Sequence, residues 1–459
     1  MAILSEQSAL IIIGITGDLS KRKLLPSLYN LEKANKLPEN FKIIGTSRRD
    51  VDTEKLFEKL HEHITLTSDV YSEATFTKLK KRIIIIQADV SSHEGAHSLS
   101  AQLDGLLGKV CSMKLFYFAI PPSSLQPVIH NLVEAGVHSC GGNMASRLLI
   151  EKPFGRDLAS AEDLSDTISK NFGSESIYLI DHYLAKETVQ NILYMRFHNP
   201  LLQGIWNQRH VESIAVTAYE KLDIQGRGDF YEQTGALRDM LQSHLIQLLA
   251  LVTMNEPVDM NAATIRDNRL HVLRHLQLAT EPSITATRAQ YKGYKIEVKN
   301  NTSSTETYAS VNLLIDNDRW RNVPVTLSAG KAMNQKSTKI EVIFQSHEAH
   351  DEKNIFTFQI QPNEAISLTL AVKKPGLATE TKTISLDYCY DEDAENPGFN
   401  DGYDRIIYDA INGDQTLFPS DAEIKNNWAL LQPVLDEWQR SSSGLLTYEK
   451  GTNDIMEDK

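Results

Sequence analysis

The stretch "IDHYLAKE", residues 180–187, gathers Asp181, His182, Tyr183 and Lys186 into one short run behind the strand-like "SIYLI". His182 and Lys186 lie four apart, which on a helix places them on one face. With the Tyr183 hydroxyl beside them, such a face offers two cationic groups and a neutral donor, a set that can hold a phosphate dianion. Asp181 cannot share that task, because its charge repels the phosphate. It suits a different one, orienting and charge-stabilising a histidine supplied from elsewhere. The candidate is His244 in "LRDMLQSHLIQLL", beside an apolar stripe of Leu237, Leu241, Leu245 and Leu248. By residue type alone, a histidine there reads more often as a satisfied core residue than as a base. Paired with a carboxylate, its imidazole gains basicity and a fixed tautomer.

A second cluster follows the first apolar run. "ALIIIGIT" reads as a buried strand, and "GITGDLSKRK" continues from it with Gly14 and Gly17 spaced G-x-x-G. This is not the G-x-G-x-x-G dinucleotide pattern. Gly14 permits a tight strand-to-helix turn, Gly17 lets a pyrophosphate approach backbone N–H groups at a helix start, and Thr16 adds a hydroxyl donor. A plain tight turn stays open on the glycines alone. The next strand ends in "GTSRRD", with Arg48 and Arg49 where an NAD site usually carries an acid. A guanidinium there pairs with a 2′-phosphate, which favours NADP. Two solvated arginines are the competing reading, and Asp50 keeps NAD use open.

The elements that must carry these groups are legible as patterns. Through the first third, β-branched runs ("FKIIGTS", "RIIIIQADV", "KLFYFAIPP", "SRLLIEKPFG") alternate with amphipathic helical stretches. That predicts a parallel sheet covered on both faces, a doubly wound, Rossmann-like α/β domain over residues 1–180. After Asp181 come long helical stretches. From about residue 285 a series of strands joined by short polar turns predicts an antiparallel meander. Residues 181–459 thus form an α+β domain with a large, mostly antiparallel sheet, expected to bind substrate, carry the catalysis and support dimerisation. "GTNDIMEDK" reads as a frayed tail.

Composition narrows the function. Of 459 residues, 41% are hydrophobic and 23% charged, as in an ordinary soluble globular chain. Acids outnumber bases 60 to 47, a net charge of -13, which argues against nucleic-acid or membrane-surface partners. An anionic substrate must therefore be caught by a local basic cluster. Cys111, Cys140 and Cys389 form no CxxC pair, so neither a zinc site nor a disulfide framework is indicated, and no metal is expected. With no signal peptide read and no apolar stretch long enough to span a bilayer, a cytoplasmic protein is expected.

Read together, "GITGDLSKRKLLPSLYNL", "EKPFGRDLASAEDL" and "YLIDHYLAKETVQNI" resemble the signature blocks of the glucose-6-phosphate dehydrogenase family. "GRGDFYEQTGALRDMLQSHLIQLLAL" resembles its catalytic helix. The likeness continues through "AIPPS", "GKAMNQK", "QPNEA" and "GDQTLFPSDAEIKNNW", nearly the whole chain in the family's order. The resemblance implies oxidation of D-glucose 6-phosphate to 6-phospho-D-glucono-1,5-lactone with hydride transfer to NADP+, the first step of the oxidative pentose phosphate pathway. It implies that His244 is the base and Asp181 its partner, with Lys21, Lys152, His182, Tyr183, Lys186, Glu220, Asp239, Lys331 and Lys336 on the substrate. For the cofactor it implies Gly14, Thr16, Gly17, Asp18, Leu19, Arg48, Tyr117 and Lys152. A homodimer or dimer of dimers is expected. Animal members hold a second, structural NADP through basic residues; here Ser328, Ser337, Glu341 and Gln359 stand at those places, so none is expected, as in a bacterial-type enzyme.

Other readings remain: a dehydrogenase of another hexose 6-phosphate, a non-catalytic NADP-binding sensor, or an oxidoreductase of the glucose–fructose oxidoreductase type. The last also joins a Rossmann domain to an antiparallel sheet and carries E-K-P, but usually has G-x-G-x-x-G and lacks "IDHYLAKE".

Overall fold

A computed structural model describes residues 8–67, 71–108, 113–137, 146–281, 285–346, 352–390, 402–441, 444–453 and 455. Cys111, Cys140 and most of the C-terminal tail lie outside the described residues. The chain divides into two compact units. The first comprises Met1–Gly155, Ala159–Ala185 and Asn396–Asp421; the second comprises Arg156–Leu158, Lys186–Glu395 and Ala422–Lys459.

The first unit is built on a six-stranded sheet: β1 (Ser8–Ile13), β2 (Phe41–Ser47), β3 (Ile83–Gln87), β4 (Met113–Phe118), β5 (Arg147–Ile150) and β6 (Ile177–Leu179). Its order is β3-β2-β1-β4-β5-β6 and every neighbouring pair is parallel. The strand order reverses at β1, where a doubly wound sheet opens a crevice beyond its carboxyl ends. β1 and β4 are buried along their whole length, as continuous apolar runs require of strands covered on both faces. The sequence boundary at 180/181 does not foresee that the helix Gly402–Asn412 belongs here. Arg147 Nη1 donates to the carbonyls of Ala410 (2.6 Å) and Ile411 (2.8 Å), and Asn30 Nδ2 to Asp404 Oδ2 (3.2 Å). These bonds join groups far apart in sequence, which local patterns do not encode.

The second unit holds a sheet of β7 (Val211–Tyr219), β8 (Leu276–Leu278), β9 (Ala286–Tyr291), β10 (Tyr308–Ile315), β11 (Val325–Gly330), β12 (Ser337–Phe344), β13 (Ile355–Gln361), β14 (Ala365–Lys373), β15 (Thr381–Cys389) and β16 (Leu445–Tyr448). The order is β15-β14-β13-β12-β7-β11-β10-β9-β16, with β8 on β10. β12 to β15 form the expected antiparallel meander. Two strands make the sheet mixed. β7 enters between β12 and β11, parallel to β11 (Val325 beside Ile214), and β16 runs parallel to β9. Sequence analysis passed over β7, because its alternating "VESIAVTAY" is a short run among helical stretches. At its outer end the sheet thins: β15 is exposed at seven of its nine positions, so among the described residues no layer of its own unit covers that edge.

Candidate active site

In the first unit, β1 delivers the chain to a turn that requires glycine. Gly14 has φ +96°, and a Cβ there would stand 2.6 Å from the Ala119 carbonyl oxygen. Its own carbonyl accepts from the Gly17 N–H (3.0 Å) and the Ser20 hydroxyl (3.0 Å), which closes the turn. A helical run follows. Ser20–Leu24 is π-helical and Leu25–Lys33 is α-helical, with Pro26 in the first turn. The first N–H groups of this run have no acceptor within the helix, which suits an anion. Thr16, Leu19 and Lys21 are half-buried around it, while Asp18 is exposed and pairs with Arg22 at 2.9 Å. At the end of β2, Arg48 and Arg49 are exposed. Asp50 accepts from the Val51 N–H through Oδ1 (3.0 Å), so its carboxylate is engaged in its own turn.

Beside this crevice, Tyr117 of β4 is buried, and its hydroxyl donates to Glu151 Oε1 at 2.5 Å. Burial pushes the Glu151 carboxyl above its ordinary pKa, while the Tyr117 and Tyr403 hydroxyls and the Lys152 charge pull it back down. Asp181 opposes them by like-charge repulsion, so Glu151, Lys152 and Asp181 form one electrostatic group. Asp181 is itself buried and accepts the Tyr183 N–H through Oδ1 (3.0 Å).

The helix face expected for His182 and Lys186 is absent. Residues 182–185 form a turn, and the helix begins at Glu187. The turn arises because the Asp181 side chain and carbonyl take the N–H groups of Tyr183 and Leu184, an arrangement that competes with helix. His182 is half-buried, its ring parallel to that of Tyr403 (6.4 Å, 11°), and Tyr183 is buried. Sequence analysis missed Tyr403, whose helix lies far downstream, and Glu151, although it lies in the quoted "EKP".

In the second unit, Lys186 is the residue before the helix Glu187–Phe197, with its Nζ 3.3 Å from Glu364 Oε1. Glu364 Oε2 accepts from the Thr188 N–H (2.9 Å) and hydroxyl (2.6 Å). One carboxylate thus caps the helix and faces the lysine, a role that sequence analysis did not assign to "QPNEA". Glu220 follows β7 and meets Lys331, which follows β11, at 2.6 Å. Lys331 is buried, with its Nζ 5.2 Å from the Tyr231 ring centre. Lys336 is exposed.

Asp239 and His244 share one segment, Leu237–Leu245, and that segment is π-helical rather than the α-helix its apolar spacing predicts. π-helical turns inside helices occur frequently at functional sites, because they re-aim side chains. His244 is fully buried, and Asp239 is half-buried. The α-helix Ile246–Thr253 continues the rod and is buried at every position. Its terminal carbonyls are taken by distant side chains. Arg196 Nη1 donates to Leu251 (2.8 Å) and Nη2 to Met254 (2.7 Å), while Trp206 Nε1 donates to Val252 (2.8 Å) and Trp320 Nε1 to Thr253 (2.7 Å). Among the described residues, no cluster of histidine, cysteine and acidic side chains could hold a metal ion, and no helix is long and apolar enough to cross a membrane.

Comparison with known proteins adds what geometry within each unit leaves open. The glucose-6-phosphate dehydrogenase NAD binding domain matches residues 11–191, and the glucose-6-phosphate dehydrogenase C-terminal domain matches residues 193–458. The chain belongs to the glucose-6-phosphate dehydrogenase family. Glucose-6-phosphate 1-dehydrogenase of Chlamydia muridarum is 36% identical over 460 residues, covering 94% of this chain and 90% of that protein. A solved glucose-6-phosphate dehydrogenase in complex with its substrate glucose-6-phosphate superposes with a TM-score of 0.89 at 32% identity, covering 99% and 96% of the two chains. Levoglucosan dehydrogenase, in complex with NADH and L-sorbose, shares the fold (TM-score 0.56, 95% and 98% covered) at 9% identity, a likeness of fold alone.

Proposed function

We propose that the chain oxidises D-glucose 6-phosphate at C1, with NADP+ accepting the hydride and His244 accepting the proton of the C1 hydroxyl. The activity is that of its family. One observation carries the reading: both family domains match in order across the chain, with Asp181, His182, Lys186 and His244 all present. The nicotinamide ring supplies the hydride acceptor. Everything else is work for this chain's side chains. Asp181 holds the His244 imidazole in its proton-accepting tautomer. His182, Tyr183 and Lys186 take the phosphate, and Lys21, Lys152, Glu220, Asp239, Lys331 and Lys336 hold the rest of the sugar. The buried Lys331 and Glu220 neutralise one another, so together they can offer a donor and an acceptor to sugar hydroxyls without net charge. Lys152, near the Glu151 and Asp181 carboxylates, serves both cofactor and sugar.

Gly14, Thr16, Gly17, Asp18 and Leu19 form the pyrophosphate turn, and Tyr117 backs it from β4. NADP is favoured over NAD because Arg48 is exposed at the end of β2 while Asp50 is engaged locally. A homodimer is supported by the exposed sheet edge, where Ile366 and Tyr388, Leu368 and Leu386, and Leu370 and Ile384 pair across β14 and β15. Leu386 and Tyr388 are exposed by 55% and 44%. A cytoplasmic setting accords with an NADP-linked sugar phosphate oxidation.

Three measurements test this. In an absorbance assay of nicotinamide reduction, Arg48→Ala raises KM for NADP about tenfold or more and leaves KM for NAD unchanged, since a charge-assisted bond contributes roughly 1.5–3 kcal/mol. Equal effects on both cofactors contradict the 2′-phosphate role. Lys186→Ala raises KM for glucose 6-phosphate by more than about tenfold, through loss of a charge and a hydrogen bond. Its slow activity on unphosphorylated glucose stays unchanged, whereas a proportional loss of both activities would assign Lys186 to the fold. Light scattering gives a dimer that Leu386→Lys dissociates; a wild-type chain that is monomeric at every concentration removes the interface.

A further inference from the structure

The rod that carries Asp239 and His244 begins abruptly. Gly235, with φ +66°, breaks the preceding helix Gly228–Ala236, and Ala236 has no side chain to cap the new start. The cap comes from far along the chain. Glu306 Oε1 accepts the Leu237 N–H at 2.9 Å, and the Glu306 carbonyl accepts the Ala236 N–H at 3.1 Å. A Cβ on Gly235 would stand 2.3 Å from the same Oε1, so this glycine leaves the carboxylate its room.

Glu306 is 5% exposed. Burial pushes its carboxyl above the ordinary range, and the backbone N–H groups of Leu237 and Glu306 pull it back down. Arg238 and Arg288 also favour the ionised form, through space, and no ion pair engages it among the described residues. A serine or aspartate at position 236 would cap this end locally, through the N–H of the second or third helical residue, whereas Glu306 brings a charge from far along the chain to a start where Ala236 and Leu237 are themselves buried, and burying a charge costs several kcal/mol. A distant buried glutamate does something a local cap does not: it fixes the rod to the sheet.

The next residue shows to which part of the sheet. The Thr307 carbonyl accepts the Lys331 N–H at 2.9 Å. The Tyr448 hydroxyl donates to the Lys331 carbonyl (2.7 Å) and lies 2.8 Å from Thr307 Oγ1. One dipeptide at the start of β10 therefore holds both the segment of Asp239 and His244 and the strand end of the Lys331–Glu220 pair.

We propose that Glu306 is a positioning residue for the hydride-transfer reaction, setting the spacing between the Asp239–His244 segment and the Lys331–Glu220 pair. This rests on the reading of those four residues given above. Glu306 touches neither reactant; its effect passes through the start of the rod. Misplacing a proton acceptor by a fraction of an ångström slows the chemistry without affecting binding at a remote subsite.

The test is steady-state kinetics on Glu306→Gln, which keeps shape and an acceptor oxygen but not charge, and on Glu306→Ala, each corrected for folded fraction by circular dichroism. Glu306→Ala lowers kcat by about tenfold or more while KM for NADP stays within about twofold, and Glu306→Gln recovers part of the loss. If Glu306→Ala does not fold, the isosteric Glu306→Gln decides, by a smaller fall in kcat, of about threefold or more, at constant KM for NADP. Folded variants with wild-type kcat and KM for glucose 6-phosphate overturn the proposal. So does a loss wholly accounted for by the unfolded fraction. His244→Asn in the same assay separates the two readings: if that variant stays active, the base assignment fails, whatever Glu306 does.

Discussion

A histidine buried in a helix with no exposed face constrains everything around it. The rod from Leu237 to Thr253 places His244 among leucines, where water reaches neither end of the helix freely. Orphan backbone groups at a buried helix end each cost about 1–3 kcal/mol if left unmade. The second unit answers with side chains from elsewhere in the sequence: the Glu306 carboxylate at the positive end, and Arg196, Trp206 and Trp320 at the negative end. The charges are of the sign that the helix dipole favours at each end. This also accounts for a fully buried arginine. Burial and the nearby Arg319 push Arg196 below its ordinary pKa, and the helix carbonyls offset that cost. The rod is thus held at both ends, and the imidazole between them has little freedom to wander.

The same economy of charge runs through both units. A chain of net charge -13 repels anions at long range, so its binding groups act at short range. Backbone N–H groups at the Gly14 turn carry no formal charge, yet donors of this kind suit an anion. Cations are rationed and held near carboxylates. Lys186 faces Glu364, Lys331 faces Glu220, and Lys152 shares a group with Glu151 and Asp181. Such pairs fix a long side chain in one geometry before any ligand arrives, which lowers the ordering cost of binding.

Much of this was legible in the sequence, and the failures have particular causes. The parallel sheet followed from continuous apolar runs, and the meander from short turns between alternating strands. β7 was missed because a single alternating run beside long helices carries little signal, and its insertion between β12 and β11 is a matter of pairing, not pattern. The face shared by His182 and Lys186 was wrong because spacing of four implies a helix only where the backbone is helical, and Asp181 diverts it into a turn. Glu151, Tyr403, Glu364 and Glu306 escaped notice for one reason. Each acts on a residue distant in sequence, and an isolated acid or tyrosine looks like any other until its partner is placed.

The claim on which the rest depends is that His244 is the proton acceptor. Replacing it with asparagine keeps size and hydrogen-bonding capacity but removes the basic nitrogen. Stopped-flow measurement of nicotinamide reduction in His244→Asn should show the hydride-transfer step slowed by about a hundredfold or more, the contribution expected of a general base. KM for glucose 6-phosphate and for NADP should remain close to the wild-type values. A folded variant that keeps more than about a tenth of the wild-type rate would contradict the account, because a loss so small is below what removing a general base produces.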